Sequence, residues 1–219
     1  MNAVITQRES IDRYGEPMDV LEAAYTTYFQ NLGITLFPVS NYCKTPTKYL
    51  DNADLLILTG GGDIPSRYYA DRRIAHEQVN RDRVEAQLVE YCFSHGIPIL
   101  AICRGMQFVN GLLGGKVRSL NSVGAVYTVR QDHPVLLCAQ NRKIWVNHYH
   151  NDCILKSDLA DELKIIALDE CYGVVEAFAC ADKKLLAFQW HPERVYEDPI
   201  NCKDTDRLIK EFIVGGNTE

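Results

Sequence analysis

The chain predicts an α/β fold: a mostly parallel central sheet flanked by helices, with additional antiparallel strands in the C-terminal half. Three observations lead there. In the first half, short apolar runs alternate with helix-length segments, the pattern of a parallel sheet covered on both faces. In the second half, apolar runs succeed one another with few helices between them. Between the halves, the apolar run 97–102 breaks abruptly into a helical pattern near Arg104, which marks a tight strand-to-helix turn.

The elements follow in order. A short strand covers 3–5, and a helix is expected over about 17–32, with Pro17 at a first helical position and Gly33 just past the end. Val20, Leu21, Ala24, Tyr28 and Leu32 fall near helical spacing and form its sheet-facing side. Strands are expected at 34–39 and 55–58, then a long helix over about 79–95 closed by Gly96 and Pro98. The strand 97–102 leads into a helix through Phe108, Leu112 and Leu113 that ends at Gly114-Gly115. Further strands are expected at 123–129, 143–146, 163–168, 174–179 and 185–190, and a last helix at 204–214 before Gly215-Gly216. With no internal repeat, low-complexity stretch or long linker, residues 1–219 read as a single domain.

A net charge of −6 argues against sequence-independent nucleic-acid binding. No apolar stretch approaches the ~20 residues needed to cross a bilayer, and the N-terminal residues lack the features of a signal peptide, so a cytoplasmic location is expected. The eight cysteines include no C-x-x-C pair and mostly lie in or beside apolar runs. They read as reduced, structural residues, except Cys103, which stands between strand and helix.

A cysteine on such a turn is lifted out of the sheet, and the helix N-terminus behind it favours thiolate over thiol. Gly105 permits close backbone packing at the turn. Downstream, His191-Pro192-Glu193 supplies a base and an orienting carboxylate two residues apart, on one side of an extended segment. Cys103, His191 and Glu193 thus form a candidate triad for acyl transfer. Gln107, at i+4 from Cys103, faces the same side of its helix.

Five segments in order carry a resemblance: Thr59-Gly60-Gly61-Gly62-Asp63; Arg81-Asp82 with Glu85; Ile102-Cys103-Arg104-Gly105-Met106-Gln107; Val146-Asn147-His148-Tyr149-His150; and Leu186-Ala187-Phe188-Gln189-Trp190-His191-Pro192-Glu193. The chain resembles the class I glutamine amidotransferase-like superfamily, in its γ-glutamyl hydrolase (peptidase C26-type) branch. Where the family commonly carries glycine two residues before the nucleophile, this chain has Ala101. The resemblance implies a cysteine-dependent hydrolase that cleaves a γ-glutamyl amide through a glutamyl thioester, with no cofactor. It further implies an oxyanion hole from the Gly61 and Arg104 N–H groups. Substrate contacts are implied at Gln107, His148, Tyr149 and His150; His150 matches a recurrent histidine, and His148 stands where serine is frequent.

Arg67, Arg72 and Arg73 form a basic cluster in an otherwise acidic protein, and guanidinium groups suit phosphate. They are candidate phosphate contacts, weighed against a solvated face, and the resemblance as a whole implies γ-glutamyl-CDP-amidate as a candidate substrate. Alternatives are a γ-glutamyl alkylamine hydrolase, a glutaminase subunit that delivers ammonia to a separate synthase, and a silent binding module. A metal held by Cys103, His148, His150 and His191 is disfavoured, because a zinc-bound thiolate has no need of the His191–Glu193 pair. The expected partner is a small molecule, with no metal, nucleic acid or membrane involved.

Overall fold

The computed structural model describes residues 1–75, 77–194, 196–198 and 201–215. Its first elements are β1 (Asn2–Ile5), β2 (Arg8–Ile11), β3 (Pro17–Val20), α1 (Ala23–Asn31), β4 (Thr35–Pro38) and β5 (Leu55–Leu58). The middle holds α2 (Val79–His95), β6 (Ile99–Ile102), α3 (Arg104–Leu112) and β7 (Arg118–Ser119). Then come β8 (Asp132–Leu137), β9 (Arg142–Asn147), β10 (Asp152–Cys153), β11 (Lys164–Asp169), β12 (Val174–Cys180), β13 (Leu185–Phe188) and α4 (Cys202–Gly215).

Nine strands form one sheet in the order β4-β1-β5-β6-β13-β12-β11-β8-β9. The five from β4 to β13 pair in parallel; β13 to β9 pair antiparallel. The expected division of the fold is therefore observed. Strands β5 (LLIL) and β6 (ILAI) are buried along their whole length because both faces are covered. Leu56, Leu58 and Ala101 pack with Val84, Leu88 and Phe108 on one side. Leu55, Ile57, Leu100 and Ile102 pack with Tyr25, Phe29 and Ile209 on the other. Strand β13 lies beside β6 with Leu185 opposite Ile99 and Phe188 opposite Ile102. The chain thus leaves β5, β6 and β13 at neighbouring C-terminal ends, the usual place for a site in a parallel sheet.

Helix α2 has the expected bounds and ends on Gly96 in the left-handed region (φ 67°). Three expectations need correction. Pro17 begins strand β3, which pairs with β2 across a turn built by the Asp12 carboxylate; that group accepts the Tyr14 and Glu16 N–H at 2.7 and 2.9 Å. Helix α1 therefore starts only at Ala23, and its buried residues are Tyr25 and Phe29. Segment 123–129 is not a strand; Leu120–Val123 forms a 3₁₀ turn, and the strand lies later, at β8. Cys138 and Cys171 are exposed, because they sit in turns beyond strand ends. All eight cysteines are free thiols. Gly216 lies outside the described residues. Among the described residues, no helix is long and apolar enough to cross a membrane.

Candidate active site

Cys103 occupies the junction of β6 and α3 with φ 52° and ψ −104°. For a residue with a Cβ this conformation stores strain, on the order of 1–3 kcal/mol, that the surroundings must hold in place. They do so from both sides. The Cys103 N–H donates to the Phe188 carbonyl at 2.7 Å, and its own carbonyl accepts the Gln107 N–H at 3.1 Å. Helix α3 leaves the turn in contact with β5: a Cβ on Gly105 would lie 2.7 Å from both the Leu58 Cβ and its carbonyl oxygen. The glycine is there because no side chain fits.

His191 follows β13, one strand away. Its Nδ1–H donates to Glu193 Oε1 at 2.6 Å, which leaves Nε2 for the Cys103 sulfur. Both side chains are fully buried. Burial by itself would favour neutral imidazole, but the Glu193 charge and then the Cys103 sulfur outweigh it and raise His191 to about 10. The ring lies against Gly60, where a Cβ would stand 2.6 Å from His191 Cε1. Tyr149 meets the ring edge-on at 5.7 Å and carries the Arg194 guanidinium over its face.

The glycine turn after β5 is fixed by a buried ion network. Arg81 donates to the Gly61 carbonyl at 2.6 Å and the Thr59 carbonyl at 2.7 Å, and pairs with Glu85 at 2.8 Å. Arg104 reaches the other Glu85 oxygen at 2.5 Å, pairs with Asp82 and donates to the Asp63 carbonyl at 3.0 Å. Burial pushes Asp82 up to about 6 in spite of Arg104; in Glu85 the two arginines outweigh burial and hold the carboxyl low. Arg81 also reaches the Gly60 carbonyl at 3.3 Å, so the Gly61 N–H of the same trans peptide points the opposite way. Gly60 N–H is occupied by the Tyr25 hydroxyl at 2.9 Å, whereas Gly61 lines the cavity. Arg104 stands at the first position of α3, where helical geometry leaves the N–H without an internal partner.

A cavity of about 470 Å³ brings together Gly61, Cys103, Arg104, Gln107, Tyr149, His150 and His191, with Arg72 and Arg73 at its wall. Glu193 stands behind His191. Gln107 is held in place by donating to the Asp152 carbonyl (3.2 Å) and Gln189 Oε1 (3.0 Å). His150 donates from Nδ1 to the same Asp152 carbonyl at 2.8 Å.

Three expected contacts need correction. His148 does not line this cavity; its ring stacks on Tyr127 at 4.4 Å, and burial holds it neutral, lowered to about 4. Arg67 lies over the Tyr68 ring and donates to its hydroxyl at 3.0 Å, away from the cavity. Arg72 lines the cavity but is committed to Asp152, whose two oxygens it reaches at 2.6 and 2.7 Å. Among the described residues, no group of three or more His, Cys, Asp and Glu side chains is disposed to hold a metal ion.

Sequence reasoning missed four contributors: Asp63 and Asp152 in the cavity wall, Tyr25 beneath the glycine turn, and Asn147 behind His191. Only Asn147 and Asp63 stood inside segments already singled out. Asp152 lies two residues past the segment that ends at His150, and Tyr25 comes from a distant helix; neither spacing carried a signal.

Comparison with known proteins places this geometry. The Peptidase C26 family profile matches residues 2–193. The protein NtpR of Enterococcus hirae is 29% identical over 201 residues, 82% of this chain and 81% of that protein. A γ-glutamyl-CDP-amidate hydrolase of Campylobacter jejuni is 29% identical over 161 residues, 71% of either chain. The crystal structure of a glutamine amidotransferase from Thermotoga maritima superposes with a TM-score of 0.58 at 17% identity, covering 100% of this chain and 86% of the other. On the extent of the profile match, this chain belongs to the Peptidase C26 family and is a glutamine amidotransferase-like hydrolase acting on amide bonds.

Proposed function

We propose that the protein hydrolyses a γ-glutamyl amide through a thioester on Cys103. The carrying observation is the strained Cys103 facing a buried His191 whose other nitrogen is held by Glu193 at 2.6 Å. His191 takes the thiol proton, and the sulfur attacks the δ-carbonyl carbon of the glutamyl group. The oxyanion that forms is held by the Gly61 and Arg104 N–H groups. Collapse breaks the C–N bond, and His191 returns the proton to the departing nitrogen. Water then attacks the thioester, giving up a proton to His191, and glutamate leaves as the thiol is restored. Every proton passes through one imidazole, so no cofactor is needed. Gln107, Tyr149 and His150 line the space for the glutamyl group.

The candidate substrate is γ-glutamyl-CDP-amidate. The resemblance to a hydrolase of that name supports it, as does Arg73 at the cavity wall. With Arg67 and Arg72 engaged elsewhere, the phosphate contact rests on Arg73 alone. Glutamate release by the purified chain from glutamine, a γ-glutamyl alkylamine and γ-glutamyl-CDP-amidate tests this reading. Preference for the nucleotide compound supports it, and preference for the alkylamine replaces the leaving group. Inactivity on all three favours a glutaminase that needs a synthase partner.

A further inference from the structure

Tyr25 lies in the first turn of α1, fully enclosed, between two parts of the candidate site that come from separate strands. Its hydroxyl oxygen accepts the Gly60 N–H at 2.9 Å. On its other side are Glu193 and the Cys103 sulfur, and burial together with the Glu193 charge raises the phenol well above its ordinary value. The phenol therefore keeps its single proton. Gly60 in turn packs against both reacting side chains: a Cβ there would stand 2.6 Å from His191 Cε1 and 3.3 Å from the Cys103 Cβ. The same helical turn is pinned to the next residue of the triad segment, because Glu22 accepts from Arg194 at 2.9 and 3.0 Å.

We propose that Tyr25 is a positioning residue that couples the glycine turn to the Cys103–His191–Glu193 triad. Its oxygen fixes the Gly60 amide, so that the next N–H, that of Gly61, faces the cavity. The Gly60 backbone held in this way packs against the His191 ring and keeps it aimed at Cys103. This inference rests on the triad reading given above. A phenylalanine fills the same space yet leaves the Gly60 N–H without a partner.

The test is the rate of Cys103 alkylation by iodoacetamide, followed peptide by peptide in the intact protein. It requires no knowledge of the substrate. Exposed Cys138 serves as the internal reference, and buried Cys92 and Cys153 report on the fold. In wild type, Cys103 should react faster than Cys138. Tyr25→Phe should slow Cys103 by about fivefold, as expected for losing one neutral hydrogen bond, while Cys138 is unchanged and Cys92 and Cys153 stay protected. In a His191→Gln background the same substitution should change the rate by less than about twofold, because the imidazole it positions is absent. An unchanged Cys103 rate in Tyr25→Phe, full additivity with His191→Gln, or slowing accompanied by labelling of Cys92 and Cys153 overturns the positioning role. If wild-type Cys103 reacts no faster than Cys138, the triad reading itself fails.

Discussion

The Asn147 side chain grips the backbone of His191 from both directions. Its amide donates to the His191 carbonyl at 2.8 Å, and its oxygen accepts the His191 N–H at 3.0 Å. Asn147 ends β9 at the far edge of the sheet, so this pair joins the antiparallel half to the imidazole. Asn147→Ala leaves two buried backbone groups of His191 without partners. We expect a stability loss of about 2 kcal/mol in urea unfolding, and a fall in kcat that exceeds any change in KM.

Cys103 should show a trade between strain and chemistry. Cys103→Ala and Cys103→Gly should both abolish turnover. Glycine tolerates φ 52°, whereas alanine inherits the strain, so Cys103→Gly should be the more stable of the two by about 1 kcal/mol. Calorimetric unfolding of the pair measures the difference, and equal stabilities would show that the turn is unstrained.

Gly105→Ala places a methyl group against the Leu58 side chain and carbonyl oxygen. Backbone cannot move aside as a flexible side chain can. A loss of about 1–3 kcal/mol is expected from overpacking, with a lower melting temperature. Because α3 would be displaced, turnover should fall too.

The raised His191 sets a pH dependence with a definite sign. The folded protein holds this proton up to about 10, the unfolded chain only to near 6.5. The associated stability is fully present below pH 6.5 and is lost as pH rises through 10. Unfolding measured at pH 6, 8 and 10 should show wild type losing more stability than His191→Gln. Parallel curves would remove the imidazolium from the folded state.

Arg72 and Arg73 should separate in behaviour although they adjoin in sequence. Arg72→Ala strips Asp152 of its cation and should lower stability, with similar effects on all substrates. Arg73→Ala should leave stability unchanged and raise KM for γ-glutamyl-CDP-amidate by about tenfold, sparing a γ-glutamyl alkylamine. Equal effects on both substrates would remove phosphate recognition from Arg73.

Much of this molecule was readable before its structure. The apolar runs at β5 and β6 are unbroken because both faces are buried, and the turn at Cys103 is marked by a strand that ends in a helix within two residues. Gly96 and Pro98 closed α2 where the structure ends it. What failed depended on partners far away. Residues 17–20 have helical spacing, but pairing with 8–11 outweighs it. Arg72 is a cation at the cavity whose charge is taken by Asp152, eighty residues on. His148 carries the right chemistry in the right segment, yet past the end of β9 its ring stacks on Tyr127 while Tyr149 and His150 face the cavity.

The position of β13 has a consequence for how the protein is made. This strand enters between β6 and β12, deep inside the sheet, although it follows every other strand of that sheet in the chain. Until it arrives, Cys103 lacks the Phe188 carbonyl that holds its amide, and His191 is absent. A nascent chain ending before residue 185 therefore carries the cysteine without the groups that activate it. Reactivity of the thiol is thereby tied to completion of the sheet: the last central strand acts as the arming step, and unfinished chains are spared a nucleophile they cannot yet control.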